Sequence, residues 1–362
     1  MIGPVETLEN GVTVFRATDD GAPKSNIYCE FPWCPPDSSG FVYVRRAGDG
    51  NWEYVLCRFG TWEKQPLGAG TACTMAGGRF YFSRNSPAGS HELVRADLSS
   101  GRMETLDVPP AALAEGGLCL SADERYRVYS RALSFNPQRF GIFVVDMRTG
   151  QSGVVLEDPY LCNTHLQFDR RLGSQVLVQH NRGCRFSAAG KCELLCGSEG
   201  CTLFILDVPG GRVTPLQIGP PFTVTCSGHE TWLGRSGAVL LTLNLTADYN
   251  FGKGPIMAVQ PGEAARPVCP PMEMNHIGTP DCGRLFCADA FQPDEIIIGS
   301  PATGRTAVVC PARSSYKRGT PDAHPHAYIS PDLRWVVFNS DRTGVNEIYA
   351  ASVPAAMTAG LL

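Results

Sequence analysis

Five of the seven histidines in this 362-residue chain carry its clearest chemical signal. His165 (CNTHLQFD), His229 (SGHETWLG), His276 (MNHIGTPD) and His326 (HPHAYISPD) each stand about four to six residues before the turn that opens an alternating apolar strand. His324 lies two positions before His326, and on an extended chain residues two apart face the same side. A single histidine in such a place is usually a polar filler bonded to backbone carbonyls. Several in equivalent places are different, because neutral imidazoles converging from separate strands are what a transition-metal site needs. Zinc suits a closed tetrahedral set, whereas manganese, or a harder ion such as calcium, tolerates open positions filled by water and a substrate carboxylate.

A second group lies in Gln179-His180-Asn181-Arg182-Gly183-Cys184-Arg185. An arginine here can clamp a carboxylate with two parallel N–H bonds, and His180 beside it can move a proton; the plainer reading is a solvated loop. His91, in a Ser-Gly-rich turn, reads as a surface residue. Glu230, Asp281 and Asp289 are the acids placed to orient ligating histidines. The fifteen cysteines are odd in number and belong to a long chain, so they read as reduced thiols rather than a disulfide framework. Cys184, Cys192, Cys196 and Cys201 lack the paired C-x2-C knuckles of a zinc ribbon. No Gly-x-Ser-x-Gly elbow and no phosphate loop occurs.

The elements that must carry these residues repeat. From His324 to Pro354 the chain reads as an entry strand, a Ser330-Pro331-Asp332 turn, the alternating run Trp335-Val336-Val337-Phe338, a polar turn through Thr343-Gly344, and the strand Glu347-Ile348-Tyr349-Ala350. Similar units begin near Cys34, Met75, Ser121, Phe168, Leu233 and Thr279, about 40 to 50 residues apart, except that the fourth carries an insertion over about 184–201. Seven such units predict an all-β, seven-bladed β-propeller in one domain spanning 1–362. The last unit shows three strands, and a spare strand at about 11–18 is placed to supply its fourth and close the ring. The histidines then fall on innermost strands beside the channel. Helix signals are nearly absent; Pro110–Glu115 amounts to one turn at most.

Composition narrows the partners. A formal net charge of −4 argues against a nucleic-acid surface. No segment reaches the roughly eighteen apolar residues of a membrane helix, and MIGPVETLENG has neither a basic start nor an apolar core, so the expectation is a soluble, cytoplasmic protein without membrane contacts. The sequence is silent on oligomeric state.

The ordered motifs HLQFD, QHNRG, GHETW, NHIGTPDCGRLF and HPHAYISPDLRWVVFNSDRTG resemble the oligogalacturonate lyase family of seven-bladed propellers, over most of the chain from about Asn26 and most specifically from His165 onward. In that family a manganese-type ion is held by three histidines and a glutamine, and a further histidine with an arginine serves β-elimination. The resemblance implies His276, His324 and His326 as metal ligands, with manganese the first choice and zinc or calcium the alternatives. It implies His229 as the base and Arg182 or Arg185 as the assisting arginine, with His180 beside them. His165, Arg182 and Tyr316 are the expected contacts to a short, acidic, uronate-containing oligosaccharide. Pro321 stands where the family has its glutamine and offers no side-chain ligand, which leaves Asp322, Asn275, His165 or water for the fourth place. A lyase for another uronide, or a propeller that binds a glycan or protein without catalysis, are the alternative readings.

Overall fold

The computed structural model describes residues 2–86, 90–113, 116–244, 253–291, 293–315 and 324–362. Tyr316, Pro321 and Asp322 therefore lie outside the described residues. The chain is all-β, built of antiparallel sheets, and falls into two compact units. One comprises Met1–Thr71, Ala96–Glu104 and Pro267–Leu362, the other Ala72–Arg95 and Thr105–Arg266.

The repeated turn has a local cause. In Ser330-Pro331-Asp332 the Ser330 hydroxyl donates to Asp332 Oδ1 (2.6 Å) and accepts from the Trp335 N–H (3.0 Å), while Asp332 Oδ1 takes the Arg334 N–H (3.1 Å). Ser121-Ala122-Asp123 repeats the pattern at 2.6, 2.9 and 3.1 Å. Leu333 and Glu124 follow with φ of 64° and 60°, the left-handed step that turns the chain into its next strand. A serine and an aspartate two apart thus satisfy the turn's N–H groups and set the register of the strand that follows.

In the first unit, the sheet that matters most runs in the order Gly3–Thr7, Thr13–Arg16, Glu347–Ser352, Trp335–Ser340, Tyr328–Ile329. The N-terminal strand pairs Thr13 with Ser352 and Arg16 with Tyr349. Two further sheets of this unit are Lys24–Asn26, Gly40–Arg46, Trp52–Arg58, Lys64–Ala69, and Met274–Gly278, Phe286–Phe291, Asp294–Gly299, Thr306–Pro311. Alternation places Val336 and Phe338 against Ile296, Ile298 and Tyr349 in one core, while Val337 and Asn339, on the other face of the strand, are also fully buried. Strands covered on both faces leave no room for an unpaired polar group, so a buried asparagine within one is conspicuous.

The second unit contains the sheet Cys119–Leu120, Tyr126–Phe135, Gln138–Asp146, Ser152–Asp158. It also holds two four-strand sets joined through the Cys201–Cys226 pair. These are Gln167–Phe168, Gln175–Asn181, Cys201–Asp207, Val213–Pro215, and Cys226–Trp232, Val239–Asn244, Lys253–Val259, Arg266–Pro267. A further four-stranded sheet, which belongs to neither unit alone, runs Ala72–Ala76, Arg79–Asn85, His91–Asp97, Arg102–Thr105. The insertion folds partly into a hairpin, Arg185–Phe186 with Cys192–Leu194.

Two short helical features accompany the sheets, and the second is absent from the sequence reading. The turn expected at Pro110–Glu115 is a 3-10 helix over Pro110–Leu113. A seven-residue helix at Ala355–Leu361 follows the last strand; its one strong signal was alanine content, and Leu361 packs into the first unit's core. No helix among the described residues is long and apolar enough to cross a membrane.

Candidate metal centre

His276, on the buried strand Met274–Gly278, and His324 and His326, just ahead of Tyr328–Ile329, each offer a ring nitrogen within 4.8 Å of the others. Ring centroids are 4.4 Å apart for His276–His326, 5.5 Å for His276–His324 and 5.6 Å for His324–His326. Tyr28 packs edge-on against His276 (5.6 Å) and His326 (5.1 Å).

Asp289, fully buried on the neighbouring strand Phe286–Phe291, organises two of the three. Its Oδ2 lies 2.9 Å from His276 Nδ1, and its two oxygens take the backbone N–H groups of His276 (2.9 Å) and His326 (3.2 Å). A carboxylate on one ring nitrogen fixes the imidazole's tautomer and orientation, leaving the other nitrogen as the ligand. The Asn275 amide nitrogen sits 3.0 Å from His276 Nδ1 and 3.2 Å from Nε2.

The electrostatics favour neutral, ligating rings. Burial, then the neighbouring His276, pushes His324 down to about 4, with Asp289 opposing in part. Burial pushes His326 well below its ordinary value, and His276 and His324 add to the effect. His326 Nδ1 is buried and has no hydrogen-bond partner. Three imidazoles with mutually close nitrogens, two of them held neutral by burial and one of those buried and unsatisfied, fit a divalent transition-metal ion.

These depressed values carry a sign for the metal-free protein. The unfolded chain protonates its histidines near pH 6.5, while folded His324 stays neutral down to about 4. Between those limits the unfolded state binds more protons, so this contribution to stability is intact above pH 6.5 and is lost as pH falls toward 4. Urea midpoints measured across that window are expected to slope upward with pH, and less steeply in His324→Gln. Equal slopes would remove His324 from the effect.

The remaining predicted site residues among those described, His165, His180, Arg182, Arg185 and His229, lie in the second unit. His165 stands two positions before Gln167–Phe168 and adopts φ 42°, matched by φ 44° at His326, two positions before Tyr328–Ile329. The repeat thus bends both chains alike at this place. His165 Nδ1 lies 3.9 Å from Glu230 Oε1, a carboxylate with no exposed side-chain surface. Glu230 also takes the Cys226 thiol at 3.5 Å. Its backbone carbonyl accepts from Gln167 Nε2 at 2.9 Å, and the Gln167 carbonyl accepts from Trp232 Nε1 at 2.9 Å. His229, half-buried, is the neighbour of Glu230 on Cys226–Trp232.

His180 is held at 2.8 Å by Asp158 Oδ1, against the rings of Tyr160 and Phe204. Burial would raise Asp158, but hydrogen bonds from His180 and the Tyr160 N–H outweigh it and hold the carboxyl below its ordinary range. Arg182 donates to the carbonyls of Gly200 (3.1 Å) and Glu199 (2.5 Å). Arg185 is 65% exposed and pairs with Glu193 at 3.2 Å on the inserted hairpin. His91 is exposed, and all fifteen cysteines are free thiols, with Cys192 and Cys282 exposed. Among the described residues, the three histidines are the one group of His, Cys, Asp or Glu side chains that meets the spacing of a metal site.

Two solved structures share this fold. An oligogalacturonate lyase in complex with manganese superposes with a TM-score of 0.73 at 18% identity, covering 99% of this chain and 97% of the other. An oligogalacturonate lyase from Vibrio parahaemolyticus gives 0.70 at 18% identity, covering 99% and 98%. The chain therefore has the fold of the oligogalacturonate lyases from end to end. No family model matches its sequence, and no curated protein does.

Proposed function

We propose that the protein is a metal-dependent lyase that cleaves short uronate-containing oligosaccharides by β-elimination. The observation that carries the reading is the cluster of His276, His324 and His326, on a chain whose fold matches the oligogalacturonate lyases over 99% of its length. The four-strand sets are read as seven blades of one propeller over 1–362, closed by pairing of Thr13–Arg16 with Glu347–Ser352. The three histidines hold the ion, with manganese the first choice since it is the ion in the first of those lyases. Bound there, it supplies positive charge to the uronate carboxylate and to the charge that grows as the C5 proton leaves.

The chain's own residues do the rest. His229 takes the C5 proton, since imidazole is the side chain most often used as a general base. Arg182 or Arg185, with His180 alongside, holds the carboxylate or assists the departing C4 oxygen. His165, steered by Glu230, and Tyr316 contact the sugar. A cytoplasmic place fits a substrate that is already short.

A second reading, a lyase for a different uronide, is favoured by Pro321, which replaces the family's glutamine and changes the ligand set. Purified protein incubated with oligogalacturonate, and separately with a glucuronate-containing oligosaccharide, is expected to show rising ultraviolet absorbance from an unsaturated product. Chelator should abolish the rise, and added Mn2+ should restore it. The faster substrate decides between the two uronides. No absorbance change with either, after metal addition, would leave a non-catalytic glycan-binding propeller.

A further inference from the structure

We infer that Asn26 and Asn339 are positioning residues that hold the His324-Pro325-His326 segment in the shape a divalent cation needs. Both are buried, Asn339 completely and Asn26 with 4% exposure. Asn339 Nδ2 donates to the His324 carbonyl (2.8 Å), its backbone N–H donates to the Pro325 carbonyl (2.8 Å), and its Oδ1 accepts the Asn26 N–H (2.6 Å). Asn26 Nδ2 in turn donates to the His326 carbonyl (3.1 Å). The two asparagines thus take the carbonyls of three consecutive residues, and Asp289 takes the His326 N–H at 3.2 Å.

This segment needs such help. Proline has no N–H, so Pro325 cannot donate to a ladder, and His326 sits at φ 44°, a left-handed conformation that is strained for a non-glycine residue. Two of the three candidate ligands are carried on it. Left to relax, the segment would spread its two ring nitrogens away from His276, and an ion would have to gather them at its own expense. Both asparagines close on the two ligand residues and the proline between them; besides these, Asn339 Nδ2 reaches Ser25 Oγ (3.2 Å) and Asn26 Nδ2 reaches the Val337 carbonyl at 3.5 Å.

The inference rests on the cation-binding part of the proposed function, and the experiment separates the two. Mn2+ and, separately, Zn2+ are titrated calorimetrically into metal-free full-length protein at pH 7, alongside thermal melting of the same samples. Asn339→Ala and Asn26→Ala are expected to bind either ion about 10- to 100-fold more weakly than wild type. Thr18→Ala serves as a control, because Thr18 is buried in the same unit and hydrogen-bonded to Glu347 and the Ile348 N–H. It should melt lower and bind as wild type does. If Asn339→Ala does not fold, Asn26→Ser, which removes the donor to His326, decides with the same expected weakening. Wild-type affinity in the asparagine variants overturns the inference, as does an equal loss in Thr18→Ala, which would make the effect one of general stability. A wild type that takes up neither ion overturns the cation reading itself.

Discussion

On the function proposed, His276→Ala is expected to lower β-elimination at least a hundredfold and to abolish metal binding at the candidate centre, while the protein stays folded. A hundredfold loss corresponds to about 2.7 kcal/mol of barrier, the size of effect expected when one preorganised charge-stabilising group is removed. Asp289 holds this ring at 2.9 Å, one of its nitrogens lies within 4.8 Å of ligand atoms on His324 and His326, and among the described residues no other His, Cys, Asp or Glu group offers such a set, so losing the ring dismantles the cluster. His229→Ala should lower turnover by as much but keep its metal, because the role proposed for that ring is proton transfer. Metal content by elemental analysis and initial rates by ultraviolet absorbance, measured on both variants, give four readings. Near-normal turnover in either variant removes that residue from its role. Metal retained in His276→Ala moves the ion elsewhere.

The largest stability effect should come from Glu347. Its carboxylate, 1% exposed, receives Arg16 at 2.8 Å, the Thr18 hydroxyl, and the Lys24 ammonium at 3.0 Å. Lys24 has no exposed side-chain surface, and its other partner is Asp20 at 2.8 Å. Breaking a buried pair by deleting one partner costs about 3–5 kcal/mol, because the charge left behind can neither be solvated nor neutralised cheaply. Glu347→Ala should fall in that range by chemical denaturation, with Asp20 placing it nearer the lower end. Replacing Lys24 as well, by Met, should recover part of the loss, since the stranded charge goes with it. A single-variant loss below about 1 kcal/mol would show that water reaches Lys24.

The sequence made the strands legible because alternation and Ser-x-Asp turns are local signals, and the turns at Ser121 and Ser330 are each closed by their own serine and aspartate. It also made the cluster legible, because His-x-His and the motif around His276 could be matched to a family before any fold was in hand. The partners that hold the cluster were harder to see. Asn26 bonds to residues 313 and 300 positions away, a relation no local pattern encodes. Asn339 did leave a trace, a polar residue inside the apolar run Val336-Val337-Phe338, but that trace says only that the amide must be satisfied, not by what. Asp289 stood among three acids that were equal candidates on sequence, and only packing against His276 separates it from Asp281 and Glu230. The C-terminal helix carried too few residues for a periodic pattern to register.

The strand Thr13–Arg16 completes its hydrogen bonding only against Glu347–Ser352, with Arg16 reaching Glu347 across 331 residues. A ribosome adding about 5–20 residues per second spends on the order of tens of seconds between making the two. Once it has left the exit tunnel, the earlier strand spends the rest of that interval with an open edge, while Lys24 waits for the carboxylate it will be buried against. Translation speed and chaperone supply therefore bear on the yield of active protein through a segment far in sequence from every histidine of the cluster, and slower synthesis should lengthen the time over which that edge can capture another chain.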